Sequence, residues 1–152
     1  MEMRRATNAD GDAVRELVFE VLAEFGLAGD REGTDRDLDD IVGNFDDRGG
    51  RFDVLVAAHG PIVGCVGLYP LREGVVELRK MYLRPEYRGQ GAGRRLLEHA
   101  LAAASELGFR RVELETNSKL VEAIRMYERY GFRPVEGCHV AARCDATFGL
   151  DL

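Results

Sequence analysis

Three glycines stand at alternate positions in the run Met81-Tyr82-Leu83-Arg84-Pro85-Glu86-Tyr87-Arg88-Gly89-Gln90-Gly91-Ala92-Gly93-Arg94-Arg95. A strand-like stretch feeds them and an amphipathic helical pattern follows, so Gly89, Gly91 and Gly93 form a turn at the mouth of a helix. The first amides of a helix have no intrahelical partner and lie at the positive end of its dipole. Without Cβ atoms at 89, 91 and 93, an anion can approach those amides closely. Such a turn is an anion cradle whose natural occupant is a pyrophosphate, and the flanking Arg84, Arg88, Arg94 and Arg95 suit a ligand with several phosphates. A dinucleotide fingerprint would need glycine at 94, where Arg94 stands, and a Walker A loop would need Gly-Lys-Ser/Thr, which is absent. From these residues alone two readings stay open, a diphosphate site or a tight turn whose glycines serve packing.

The elements that hold this turn follow from periodicity. Arg4 to Ala6 reads as the end of a first strand. Asn8 or Asp10 caps a helix with apolar positions Val14, Leu17, Val18, Val21, Leu22 and Phe25, ended by Gly26 and Gly29. A more polar helix is expected from Thr34 through Leu38, Ile41, Val42 and Phe45. Phe52 to Ala58 and Ile62 to Tyr69 read as strands joined by the turn His59-Gly60-Pro61, and Val75 to Leu83 as a third strand. A long helix spans about Gly91 to Leu107, with the stripe Leu96, Leu97, Ala100, Leu101 and Ala104. Arg111 to Thr116 is a strand, Val121 to Tyr130 a helix, and Ala146 to Leu152 the clearest strand of the tail. Hairpins followed by strand–helix–strand–helix imply a mixed α/β sheet covered by helices.

Composition bounds the rest. With 45% hydrophobic and 32% charged residues, residues 1–152 are expected to form one globular domain. Apolar runs are short and the N-terminus carries no apolar leader, so the expectation is a cytoplasmic chain with no membrane partner. A formal net charge of −6 argues against nucleic acid as a partner. Cys65, Cys138 and Cys144 are expected to be reduced thiols. With His139, Arg143 and Asp145 nearby they still show no metal-like spacing, and no metal is expected. The acidic run Asp35 to Asp40 lacks the glycine of a calcium loop, Asp40 standing there, and reads as an exposed helix start.

The chain resembles the GNAT superfamily of acyl-CoA N-acyltransferases. The signature Arg/Gln-x-x-Gly-x-Gly/Ala is matched by Arg88-Gly89-Gln90-Gly91-Ala92-Gly93, preceded by Glu77-Leu78-Arg79-Lys80-Met81-Tyr82-Leu83-Arg84-Pro85. The similarity runs on through Glu113-Leu114-Glu115-Thr116 and ends at Ala123-Ile124-Arg125-Met126-Tyr127-Glu128-Arg129-Tyr130-Gly131-Phe132. It implies a mostly antiparallel sheet split at one parallel strand pair, and acetyl-CoA or coenzyme A as co-substrate. Pyrophosphate would sit on the amides of Gly89, Gln90, Gly91, Ala92, Gly93 and Arg94, with Arg88 opening the motif. Pantetheine would lie along Met81, Tyr82 and Leu83. Acyl transfer to a primary amine of a small molecule or peptide is the implied reaction, by direct attack in a ternary complex. Homodimerisation is common in the family. A non-catalytic acyl-CoA sensor is the alternative.

Two side chains carry the implied catalysis. A lysine-like ammonium, with pKa ~10.4, is a free amine in only about one molecule per thousand at neutral pH, so a base is useful. Glu77 matches the position where several family members keep theirs. Strand alternation places Glu77 with Arg79, Met81 and Leu83 on one face, and Leu78, Lys80 and Tyr82 on the other. The competing reading of Glu77 is a glutamate ion-paired to Arg79 or Arg111. Tyr127 matches the family tyrosine that protonates the coenzyme A thiolate, and its competing reading is an interfacial aromatic. Leu120 replaces an asparagine common in the family, with Asn117 as substitute contact or helix cap. The family often builds its acceptor site from the segment that holds the acidic run, whose carboxylates would then favour cationic amines.

Overall fold

A computed structural model describes residues 1–136 and 141–152 of the chain; Cys138 and His139 lie outside the described residues. The elements are β1 (Glu2–Arg5), α1 (Gly11–Glu24), α2 (Ile41–Asn44), β2 (Arg51–Val56), β3 (Ile62–Arg72), β4 (Val75–Leu83), α3 (Ala92–Glu106), β5 (Arg111–Thr116), α4 (Val121–Arg129), β6 (Arg133–Pro134) and β7 (Ala146–Asp151). The strands form one seven-stranded sheet in the order β1-β2-β3-β4-β5-β7-β6. Every neighbouring pair is antiparallel except β4 and β5. This is the mixed, mostly antiparallel α/β sheet expected from the sequence.

Helices cover both faces because each carries one apolar stripe. Val14, Leu17, Val18, Val21 and Leu22 of α1 pack with Phe52, Val54 and Cys65. On the other face Leu96, Leu97, Ala100 and Ala104 of α3 meet Leu55, Val63, Leu78, Val112 and Leu114. Leu96 and Leu97 are fully buried, each worth roughly 1.5–3 kcal/mol relative to exposure. Helix α1 is entered through a capping box: Thr7 N donates to the Asp10 carboxylate at 2.8 Å. Asn8, expected as a cap, instead spans to the next segment, accepting from Val42 N at 3.0 Å.

The second helix is shorter than its periodicity suggests. A 3-10 stretch, Arg36–Asp40, leads into the single turn of α2. Asp40 caps that turn by accepting from Gly43 N, and four aspartates with a glycine are weak helix formers. The apolar residues nonetheless do what the pattern requires, with Leu38, Ile41 and Phe45 buried.

Candidate active site

The glycine turn is held open. Gly91 is the N-cap of α3 at φ +83, and Gly89 sits at φ +75; a Cβ on either would meet nothing within 4 Å. Arg95 N is the first amide of the helix to be bonded, to Gly91 O at 3.0 Å. Among the described residues, none of the six amides from Gly89 to Arg94 has a hydrogen-bond partner. Six unpaired donors at the positive end of a 15-residue helix are what a diphosphate needs. Gly93 serves a second purpose, bringing the helix start against Leu83 and Met126, whose atoms lie 3.9 Å from its Cβ position.

The flanking arginines are committed to the scaffold. Arg88 donates to Leu83 O at 2.8 and 3.1 Å and to Glu24 of α1 at 2.6 and 3.0 Å. Arg84 pairs with Glu20 one helical turn earlier. Arg94 pairs with Glu98, and Arg95 reaches Met1 O at 2.8 Å. Gln90 points its amide back to Glu86 O.

Beside the turn the sheet is split. The parallel ladder of β4 with β5 runs only through Val75↔Arg111, Val76↔Val112 and Glu77↔Glu113. Beyond Glu77 the two strands part, leaving a wedge whose β4 side is Met81, Tyr82 and Leu83. Arg84 N donates to Val63 O at 2.9 Å. Leu83, one residue earlier and opposite Gly64, therefore turns its own N–H and C=O away from β3 and toward the wedge.

The parting has a local cause. The β3–β4 register shifts between Cys65↔Tyr82 and Gly67↔Arg79, so β4 carries one extra residue. Lys80 takes it up at φ +54, a left-handed bulge of the kind usually given to glycine. This corrects the alternation drawn from the sequence. Leu78, Met81 and Leu83 pack on the α3 side, whereas Tyr82 packs on the α1 side. Glu77, Arg79 and Lys80 all turn to that α1 side, with Arg79 and Lys80 both reaching Asp37. Glu77 thus does not share a face with Met81 and Leu83, because the bulge inverts the strand between them.

Glu77 is buried and ion-paired to Arg79, one of the two partners considered for it; Arg111 is engaged by Glu113 and Asp151. The Arg79 guanidinium also lies 3.7 Å from the Tyr69 ring centroid. A cleft of about 550 Å³ opens there, with Asp37, Asp40, Tyr69 and Arg79 in its lining. Tyr127 is buried at 5% exposure, its ring 5.6 Å from Phe132. Burial, and after it the neighbouring Tyr82, push its phenol well above the usual range, so it keeps its proton at neutral pH.

The acidic run is consumed by internal pairing. Asp35 is fully buried; it accepts from Arg143 at 2.7 and 2.8 Å and lies 3.0 Å from Lys80 Nζ. Burial alone would raise its carboxyl, but the Arg143 guanidinium and then the Lys80 ammonium outweigh that and hold it at about 2. Asp37 faces Lys80 and Arg79, and Asp39 pairs with Arg15 at 2.5 Å. Asn117 is not the cap of α4, whose N-cap is Leu120. Its side chain closes a turn ahead of the helix by accepting from Lys119 N at 2.9 Å, and it donates to Arg143 O at 2.7 Å.

Cys65 is buried with its thiol donating to Lys80 O at 3.0 Å, and burial raises it to about 12. Cys144 was not singled out as a site residue in the sequence. Burial, and after it the charge of Glu115, raise its thiol to about 11. The sequence signal for the buried cluster was Lys80 itself, a lysine at a strand position between Leu78 and Tyr82.

Residues 15–132 match the Acetyltransferase (GNAT) family. Over 158 aligned residues the chain is 36% identical to an uncharacterized N-acetyltransferase, YjgM, of Escherichia coli K12, covering 99% of this chain and 94% of that one. An acetyltransferase of the GNAT family from Staphylococcus aureus superposes with a TM-score of 0.92 at 23% identity, over 99% and 98% of the two chains. YncA of Salmonella typhimurium, solved with acetyl-CoA, superposes at 0.76 with 22% identity, over 99% and 93%. The chain belongs to the GNAT acetyltransferase family.

Proposed function

We propose that this chain transfers an acetyl group from acetyl-CoA to a primary amine by direct attack within a ternary complex. The observation that carries the reading is the run of six unpaired amides, Gly89 to Arg94, opening beside the wedge between β4 and β5. The turn takes the pyrophosphate, and the backbone of Met81, Tyr82 and Leu83 bonds the pantetheine arm as an added strand would. Acetyl-CoA supplies the thioester carbonyl. The Leu83 N–H, aimed into the wedge, donates to that carbonyl oxygen as charge develops there. Glu77 takes the proton of the attacking amine as nitrogen bonds to the carbonyl carbon. The carbon–sulfur bond breaks and Tyr127 gives its proton to the departing thiolate. The cleft lined by Asp37, Tyr69 and Arg79 receives the acceptor. Its carboxylates are largely paired to cations within the fold, which argues against selection for highly charged cationic amines.

A second reading, an acyl-CoA-binding module without turnover, is favoured by the ion pair that engages Glu77. One experiment separates them: thiol release from acetyl-CoA across a panel of amines, repeated for Glu77→Gln and Tyr127→Phe. The catalytic reading expects turnover on at least one amine and kcat lowered about 10²- to 10³-fold in each variant. Binding of coenzyme A without turnover on any amine assigns the chain to the second reading.

A further inference from the structure

Lys80 is the one strand residue of β4 at positive φ, and its side chain is only 4% exposed. Its ammonium lies 3.0 Å from Asp35 and 3.3 Å from Asp37, and it donates to Thr34 O at 3.2 Å. Its carbonyl is capped from the opposite strand by the Cys65 thiol. Asp35, in turn, is fixed from three directions: Lys80, the Arg143 guanidinium, and Asp30 N at 2.8 Å. Arg143 closes the circuit through its carbonyl, which accepts from Asn117 at the end of β5. The cluster therefore joins the loop after α1, the bulge of β4, the end of β5 and the loop before β7. Those segments surround the wedge. With Glu77, Arg79 and Asp37 included, three anions face three cations, so no net charge is left buried.

A non-glycine residue holds a left-handed conformation only where its surroundings compel it. Here the compulsion is the docked side chain, and the residue held is the one at which β4 changes faces. Three residues further on, the Leu83 N–H points into the wedge. We infer that Lys80 and Asp35 are positioning residues for acyl transfer: the ammonium held by Asp35 locks the bulge that aims the Met81–Leu83 backbone at the pantetheine arm. The inference rests on the acetyl-CoA reading above and adds the residues that set the geometry of its arm site. The diphosphate turn lies outside the cluster and does not depend on it.

Calorimetry with two probes tests this. ADP carries the diphosphate without the arm, and acetyl-CoA carries both. Lys80→Met keeps the apolar stem and loses the ammonium; it is expected to leave ADP affinity within about twofold while weakening acetyl-CoA at least tenfold. Lys80→Gly also lacks the ammonium but adopts φ +54 without strain, and is expected to recover most of the acetyl-CoA affinity. Asp35→Asn, which preserves shape and still accepts from Arg143, is expected to show the same split and serves if the methionine variant fails to fold. Equal weakening of both probes, unchanged binding of both, or identical behaviour of the glycine and methionine variants would overturn the positioning role alone. A parent chain that binds neither probe overturns the acetyl-CoA reading as well.

Discussion

The two halves of the candidate site are built from different materials. The turn from Gly89 to Arg94 offers backbone donors and keeps its space by omitting side chains. The region around Asp35, Glu77, Arg79, Lys80 and Arg143 is made of charged side chains that satisfy one another. The first is ready for an anion as it stands. The second has spent most of its charge on holding its own shape, so its geometry is stiff and its net field small. An added atom should break the first, and a deleted one the second.

Deletion gives the largest expected effect. Asp35→Ala leaves Lys80 and Arg143 facing each other in the interior without their shared carboxylate, and should cost about 3–5 kcal/mol in urea unfolding. A loss below about 1 kcal/mol would show that water reaches the cluster and that it is not the stiff half of the site.

Acid titrates the same carboxylate without mutation. Its folded pKa of about 2 lies below the ordinary 3.8. The stability it contributes is therefore present above about pH 4 and lost as the pH falls toward 2. The expected loss is about 2 kcal/mol. It is read as the difference in acid destabilisation between the parent and Asp35→Asn. Parallel acid profiles for the two chains would contradict the assignment.

Addition of one methyl should be the mildest to the fold. Gly91→Ala places a Cβ at φ +83, which costs roughly 1–2 kcal/mol of stability. The same methyl intrudes where the anion sits, so acetyl-CoA affinity is expected to fall by about tenfold, as calorimetry would measure. Unchanged affinity with lowered stability would mean that position 91 matters for the chain's path alone.

The contrast also explains what the sequence disclosed. The anion turn lies within six consecutive residues, and glycines at alternate positions before an amphipathic helix mark it without knowledge of the rest of the fold. Element order, the apolar stripes of α1 and α3, and the span Arg111–Thr116 of β5 follow from equally local periodicity. The buried cluster unites Asp35 with a residue 108 positions away, and no periodic signal crosses that distance. Alternation failed in β4 for a related reason. It assumes one conformation along the strand, and the left-handed Lys80 inserts a residue that pairing cannot absorb. Between 34 and 45 the apolar spacing was read rightly, while the aspartates' competing backbone hydrogen bonds shortened the helix.

The unbonded stretch from Gly89 to Arg94 also makes the molecule its own reporter. Amides without acceptors surrender their protons to solvent quickly, whereas those deep in α3 wait for the helix to open. Deuterium uptake across this short peptide, rapid in the empty chain and slowed when an anion seats itself, gives an occupancy signal that requires no turnover and no knowledge of the amine.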